Sequence, residues 1–360
     1  MSDRVPPGLQ TRFCTLVGCR WPIVQTGMGW VSGANLTAAT SAAGGFGILA
    51  AVTMTPDQLR AAVRGVKERT DAPFGVNFRA EQPDLLERVA FVVSEGVRLV
   101  SFAGAPTADA VARCHDAGVL VMPTVGARRH AEKVLEMGVD AVIAQGGEGG
   151  GHTGTVPTSL LLPEVVDAVG ASIPVLGAGG FFDGRGLVAA LAYGADGIAM
   201  GTRFLLTAES HVPGVVKDRY TAATVFDTVV TTALDGAPQR VIRTDVIDRI
   251  ERSPRLVRFP RAAFAALRFR KETGTPLGDL VREGLAMHSN QDLSWSQVAL
   301  AANAPMLIKA TMVDGKPEVG ILPTGQVTGV IRELPTVAEL LARITAEAHA
   351  TLERLAAPGL

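Results

Sequence analysis

Between Trp21 and Thr202 the chain alternates short, largely apolar runs with longer Ala-rich stretches of helical periodicity. The apolar runs predict eight strands, at 22–26, 47–51, 74–78, 98–102, 120–125, 141–145, 174–178 and 197–200. Their apolar residues are continuous rather than alternating, the pattern of parallel strands covered on both faces. Helices are predicted near 36–43, 56–69, 83–95, 108–117, 129–137, 160–169 and 186–193. Most of these stretches run into a glycine (Gly44, Gly96, Gly118, Gly138, Gly194), the residue that ends a helix in the left-handed conformation before the next strand begins. Eight strands with helical crossovers predict an α/β fold, a (β/α)8 TIM barrel. The competing arrangement is a doubly wound open sheet. The strand count and the lack of a GxGxxG turn after the first strand favour the barrel.

After Thr202 this rhythm stops. The region 207–318 reads as an inserted, mostly helical lid or substrate domain beside a barrel spanning 12–206. The segment 319–360 returns to the barrel through a Gly-punctuated loop and an amphipathic final helix at 337–355, and residues 2–10 read as a loose tail. Within the lid, 240–271 carries ten basic residues (Arg240, Arg243, Arg249, Arg252, Arg255, Arg258, Arg261, Arg268, Arg270, Lys271) against three acids.

Composition narrows the function. With 34 Lys+Arg against 35 Asp+Glu, the surface as a whole does not suit nucleic acid or an anionic membrane. No charge-free apolar run approaches the ~18 residues of a membrane span. Cys14, Cys19 and Cys114 form no metal pattern; an odd count without a signal peptide points to the reducing cytoplasm. There is no HxH, HExxH or carboxylate cluster for a metal, and no GxSxG elbow.

In a parallel barrel the chemistry lies at the C-terminal ends of the strands. Gly179-Gly180, preceded by Ala178, follows the seventh predicted strand, and Gly201-Thr202 follows the eighth. Both place bare backbone N–H groups at the standard barrel phosphate site, where a side chain would block the phosphate oxygens. One phosphate there, with Gln25, Asn77 and Gln145 able to hydrogen-bond an isoalloxazine edge, suits FMN. Thr26, Gly27, Gly150 and Gly151 join this cofactor set. The loop 146–154 after the sixth strand holds six glycines around Glu148 and His152. Such a loop is costly to order, and fits a place where something flat approaches closely. His152 is the only histidine at a strand end, a candidate general acid/base or substrate-orienting imidazole. Glu148 either orients the loop or stands solvated. It is grouped with Met28, Arg79 and Arg203 as candidate substrate contacts.

At these residues the sequence resembles the nitronate monooxygenase family, also called 2-nitropropane dioxygenases. The stretches are Pro22-Ile23-Val24-Gln25-Thr26-Gly27-Met28-Gly29, Gly44-Gly45-Phe46-Gly47, Phe74-Gly75-Val76-Asn77, Gly147 to Gly154, Gly179 to Gly186, Met200 to Phe204 and Gly325-Gln326-Val327. The resemblance implies a barrel, non-covalent FMN, a catalytic His152, backbone flavin contacts near Gln25, Thr26 and Gly27, and phosphate contacts at Gly179, Gly180, Gly201 and Thr202. Two positions depart from the family pattern. Met122-Pro123-Thr124-Val125 lacks the Lys that many members carry there, and Gln145 replaces a common Asp. The run from Val24 to Val31, the loop from Glu148 to His152 and Trp295-Ser296-Gln297-Val298 resemble the branch acting on a hydroindanone CoA thioester in actinobacterial steroid breakdown. That branch implies an NAD(P)H-dependent reductase or dehydrogenase, and gives the basic lid stretch CoA phosphates to clamp. Alternatives are oxidation of alkyl nitronates with O2, NADH:quinone or enoyl-thioester reduction, and a flavin-free scaffold. The expected setting is cytoplasmic, as a homodimer acting on a small molecule.

Overall fold

The computed structural model describes residues 8–252 and 304–357. Its strands, in chain order, are β1 (Ile23–Gln25), β2 (Phe46–Ala50), β3 (Gly75–Arg79), β4 (Leu99–Ala103), β5 (Leu120–Val125), β6 (Val142–Gln145), β7 (Gly151–His152), β8 (Val175–Ala178), β9 (Gly197–Met200), β10 (Thr228–Thr231) and β11 (Gln239–Ile242). The described helices are α1 (Arg12–Val17), α2 (Ala34–Ala42), α3 (Pro56–Lys67), α4 (Leu85–Ser94), α5 (Ala108–His115), α6 (Arg128–Glu136), α7 (Thr158–Val169), α8 (Gly184–Ala192), α9 (Thr202–Leu205), α10 (Gly214–Ala222), α11 (Asp245–Arg252), α12 (Ala304–Met312) and α13 (Val337–Ala356).

Strands β1–β6, β8 and β9 form a closed parallel barrel, β9 pairing back to β1 through Val24 with Ala199 and Gln25 with Met200. The eight strands are those the apolar runs predict. The helix-ending glycines Gly44, Gly96, Gly118, Gly138 and Gly194 all have positive φ, as their position requires. Outer helices bury one stripe. In α3, Thr55 and Gln58 form a capping box, Pro56 fills the first turn, and Leu59, Val63 and Val66 face the strands. The barrel interior is filled by Val24, Phe46, Ile48, Leu99, Met122, Ile143, Leu176 and Ala199. Helix α1 joins this cluster: Phe13 sets its ring edge-on to Phe46 at 6.0 Å, and Cys14 and Val17 pack beside it. Its Arg12 reaches the buried Asp196 at 2.9 Å. At the far end of the chain, α13 starts with its own capping box at Thr336 and Glu339 and packs on α8 and α2.

The inserted region is less purely helical than its sequence predicts. Its described part holds α10, α11 and α12, and also the antiparallel pair β10–β11, to which β7 adds as a third strand. The β-branched run Thr228-Val229-Val230-Thr231-Thr232 and the turn at Asp235-Gly236, with Gly236 at φ 92°, outweigh the charged, helix-like character around them. The segment that returns to the barrel continues this small sheet, with Val241 bridged to Pro323. The remainder of the expected lid, 253–303, lies outside the described residues, and with it Trp295-Ser296-Gln297-Val298 and His288.

Candidate active site

The mouth of the barrel has one wall made of backbone. Where β8 ends, Gly179 and Gly180 follow one another at φ 89° and 83°, a conformation side chains rarely take. A β-carbon on Gly179 would stand 3.0 Å from both the Gly146 carbonyl oxygen and the Gly149 nitrogen. On Gly180 it would project into open space, with nothing nearer than Glu148 at 3.9 Å. Beyond β9, Gly201 precedes Thr202, whose Oγ1 accepts the Gly325 N–H at 2.8 Å and so keeps its own hydrogen to donate. The N–H groups of Gly179, Gly180 and Gly201 donate to no other group among the described residues. Unpaired N–H groups on residues with no side chain to cover them make a candidate anion cradle. Its donor set suits an anion such as the phosphate of FMN.

The strand ends beside the cradle divide. Gly27 lies against the Asn77 side chain so closely that any β-carbon would collide with it. Asn77 donates through Nδ2 to Ser101 Oγ at 2.9 Å. Met28 reaches the other way, its sulfur 3.3 Å from where a Gly201 side chain would start, so the β1 loop lies across the end of β9. Thr26 is tied to the same strand by its N–H to Met200 O at 3.2 Å. Arg79 ends β3 at the rim, 3.8 Å from Glu81.

Several expected contacts are engaged, wholly or in part, within the protein. Gln25 is fully buried, and its amide donates to Ser32 Oγ at 2.8 Å and Ile48 O at 3.1 Å. Its Oε1 is buried without a partner among the described residues, so the side chain still offers an acceptor. Arg203 is 2% exposed and donates to Leu206 O at 2.9 Å and Glu333 O at 3.2 Å. Burial pulls its pKa down to about 10, opposed by nearby Glu333, and the guanidinium is a structural tie rather than a substrate contact. Glu148 accepts both the N–H (2.9 Å) and the hydroxyl (2.7 Å) of Thr158 at the start of α7. Its carboxylate therefore fastens the loop after β6 to the positive end of that helix.

That loop is stitched down at several points. Gln145 donates to the His152 carbonyl at 2.7 Å, and Gly149 folds over the Gln145 amide. Gly146 N–H goes to Ala178 O at 2.9 Å. Gly150 has no side chain because Thr324 and Gly325 cross directly over it, and Gly151 turns at φ 65°. From the other side, Arg240 donates to Gly147 O at 2.9 Å through Nη2 and to Thr228 Oγ1 at 2.9 Å through Nη1. The basic stretch thus begins as a brace. Arg243 pairs with Asp248 at 3.0 Å and Arg252 reaches the same carboxylate at 3.8 Å. Arg255, Arg258, Arg261, Arg268, Arg270 and Lys271 lie outside the described residues.

His152 stands on β7, in register with Gln239 of β11. Its imidazole is 67% exposed, and Nε2 lies 2.7 Å from Asp235 Oδ2, whose side chain is only 13% exposed. Gln239 also donates its amide to Asp235 Oδ2. The other carboxylate oxygen, Oδ1, accepts the Ala237 N–H at 3.1 Å. Asp235, Gln239 and the bracing role of Arg240 escape a reading by strand ends. The usable signal was the Asp-Gly turn between β-branched residues, which marks a hairpin. Among the described residues no group of His, Cys, Asp and Glu could hold a metal ion, and no helix is long and apolar enough to cross a membrane. An exposed imidazole with a carboxylate behind it can take or give a proton, and the loop that carries it packs against Gly179.

Comparison with known proteins agrees with this frame. The model of the family described as nitronate monooxygenase matches residues 10–347. The chain is 52% identical, over 97% of its length and 99% of the relative's, to the (3aS,4S,5R,7aS)-5-hydroxy-7a-methyl-1-oxo-octahydro-1H-indene-4-carboxyl-CoA dehydrogenase of Mycobacterium tuberculosis. The protein of the same name from Rhodococcus jostii is 50% identical over 97% of this chain and 98% of its own. Among solved structures, FabK from Thermotoga maritima superposes with a TM-score of 0.76 at 33% identity, covering 96% of this chain and 98% of the other.

Proposed function

The chain belongs to the nitronate monooxygenase family of oxidoreductases, and we propose that it is an FMN-dependent dehydrogenase or reductase of a hydroindanone CoA thioester, of the kind met in steroid breakdown, with NAD(P)H as redox partner. The observation that carries the reading is the packing, at one end of the barrel, of the glycine loop that bears an exposed, carboxylate-backed imidazole against the bare peptide groups of Gly179, Gly180, Gly201 and Thr202. The substrate class rests on the two relatives at about half identity over nearly the full length of both chains.

FMN would be held by its phosphate at the four cradle residues and along the backbone of Thr26 and Gly27, and supplies two-electron hydride chemistry. The protein's own part is different. The glycines keep side chains out of the phosphate hollow, and Asn77 and Met28 shape the floor and the edge of the mouth. Dehydrogenation removes a hydride equivalent and a proton from the substrate carbon skeleton; reduction returns both. His152 takes or gives that proton, and its exposure leaves it open to a substrate arriving from solvent. Gln145, Glu148 and Arg240 hold its loop still, which matters because a misplaced acid or base loses rate steeply. A cytoplasmic setting, where CoA thioesters and NAD(P)H are available, goes with this reading.

The test is turnover by purified yellow holoenzyme of the hydroindanone CoA thioester coupled to NAD(H) or NADP(H), run beside propyl nitronate with O2. The reading expects nucleotide-linked turnover of the thioester. Brisk oxidation of the nitronate with none of the thioester would hand the assignment to nitronate oxidation.

A further inference from the structure

We infer that Asp235 is a positioning residue that fixes the tautomer of His152, so that Nδ1 is the ring atom exchanging protons with substrate; this rests on the assignment of proton transfer to His152. A carboxylate oxygen only accepts hydrogen bonds. Oδ2 of Asp235, at 2.7 Å, needs a donor; Gln239 Nε2 also lies 3.3 Å from His152 Nε2 but gives its hydrogen to Asp235 Oδ2 at the shorter contact, so Nε2 of His152 is the nitrogen that carries the ring hydrogen. In the neutral ring, Nδ1 is then left with its lone pair.

The carboxylate is itself held in place. Oδ1 accepts from Ala237 N–H and Oδ2 from the Gln239 amide, within a turn whose Asp side chain is largely buried. The bond to Ala237 alone would satisfy an Asp in a tight turn. The further bond to an imidazole 83 residues away in sequence does nothing for the turn and determines how that ring sits. The backbone of His152 is fixed independently, by its pairing with Gln239 and by the Gln145 amide on its carbonyl. Ring and carboxylate thus meet because β7 and the β10–β11 hairpin share a sheet. The hairpin of the inserted region is thereby part of the catalytic machinery.

The experiment joins a spectroscopic readout to a double-mutant cycle. Ring 15N–1H correlation spectra of 15N-histidine holoenzyme, with the His152 signals assigned by their loss in His152→Ala, report the tautomer without any turnover. The wild type is expected to show the Nε2–H form. In Asp235→Asn, whose amide can face the ring with its NH2 group, the Nδ1–H form is expected to gain population. Asp235→Asn should also lower kcat by roughly 10- to 100-fold with KM little changed, a part of the full acid–base contribution of about 10²–10⁴. In the His152→Ala background the same substitution should cost nothing further, because Asp235 acts through the ring. An Nδ1–H wild type, or an equal rate loss in both backgrounds, overturns the inference. Wild-type rates in His152→Ala would instead remove His152 from the reaction, while the wild-type spectrum still decides the role of Asp235 in holding the ring.

Discussion

The two sides of the barrel mouth are built on opposite plans. The cradle side is local: Gly179, Gly180, Gly201 and Thr202 are simply the first residues beyond β8 and β9, held by barrel strands fixed on both flanks. The His152 side is assembled from a distance. Six glycines in 146–154 give little packing of their own, so the loop is fastened by Thr158, Asp235, Gln239 and Arg240 and by the crossing of Thr324 and Gly325. An anion can be bound by bare peptide groups at a strand end, but an aimed side chain on a glycine loop needs buttresses from elsewhere in the chain.

That contrast can be broken in order of expected effect. Gly180→Val should cost the most: it forces a β-branched side chain into a left-handed position and into the open hollow of the cradle. The expected product is a folded but colourless protein, checked by its visible absorption after purification and after incubation with FMN. A normally yellow variant would detach the cradle from flavin binding. His152→Ala, on the other side, should leave the flavin in place and lower the rate of the chemical step by roughly 10²–10⁴. Single-turnover kinetics on the yellow variant measures this, and loss of flavin together with rate would mean the two sides are not separable. Arg240→Met should do least. It takes the donors from Gly147 O and Thr228 Oγ1, for an expected stability loss of about 1–3 kcal/mol by urea unfolding. Its fall in kcat should be smaller than that of His152→Ala, with flavin content unchanged.

The same contrast explains what could be read from sequence. The barrel and the cradle are written locally, in continuous apolar runs, in helix-ending glycines such as Gly118 and Gly138, and in glycines directly after strands. Helix α1, six residues long, is too short to announce itself by periodicity, although its Phe13 fills the barrel interior. Which way a strand-end side chain turns is decided by partners far along the chain or buried beneath it. The Gln25 amide is taken by Ser32 and Ile48, Arg203 by Leu206 and Glu333, Glu148 by Thr158. Asp235 carried a local signal, the Asp-Gly turn among β-branched residues, yet nothing local says that this hairpin would meet β7. Charge density around it read as helix, and the strand pair has to be seen before the His152–Asp235 contact follows from it.

The most direct measurement is a crystal structure of the flavin-loaded protein. The account predicts one phosphate within hydrogen-bonding distance of the N–H groups of Gly179, Gly180, Gly201 and Thr202, with the His152 ring over the same mouth and its Nε2 still on Asp235. A phosphate bound elsewhere, or an imidazole swung away from the mouth into solvent, would contradict it.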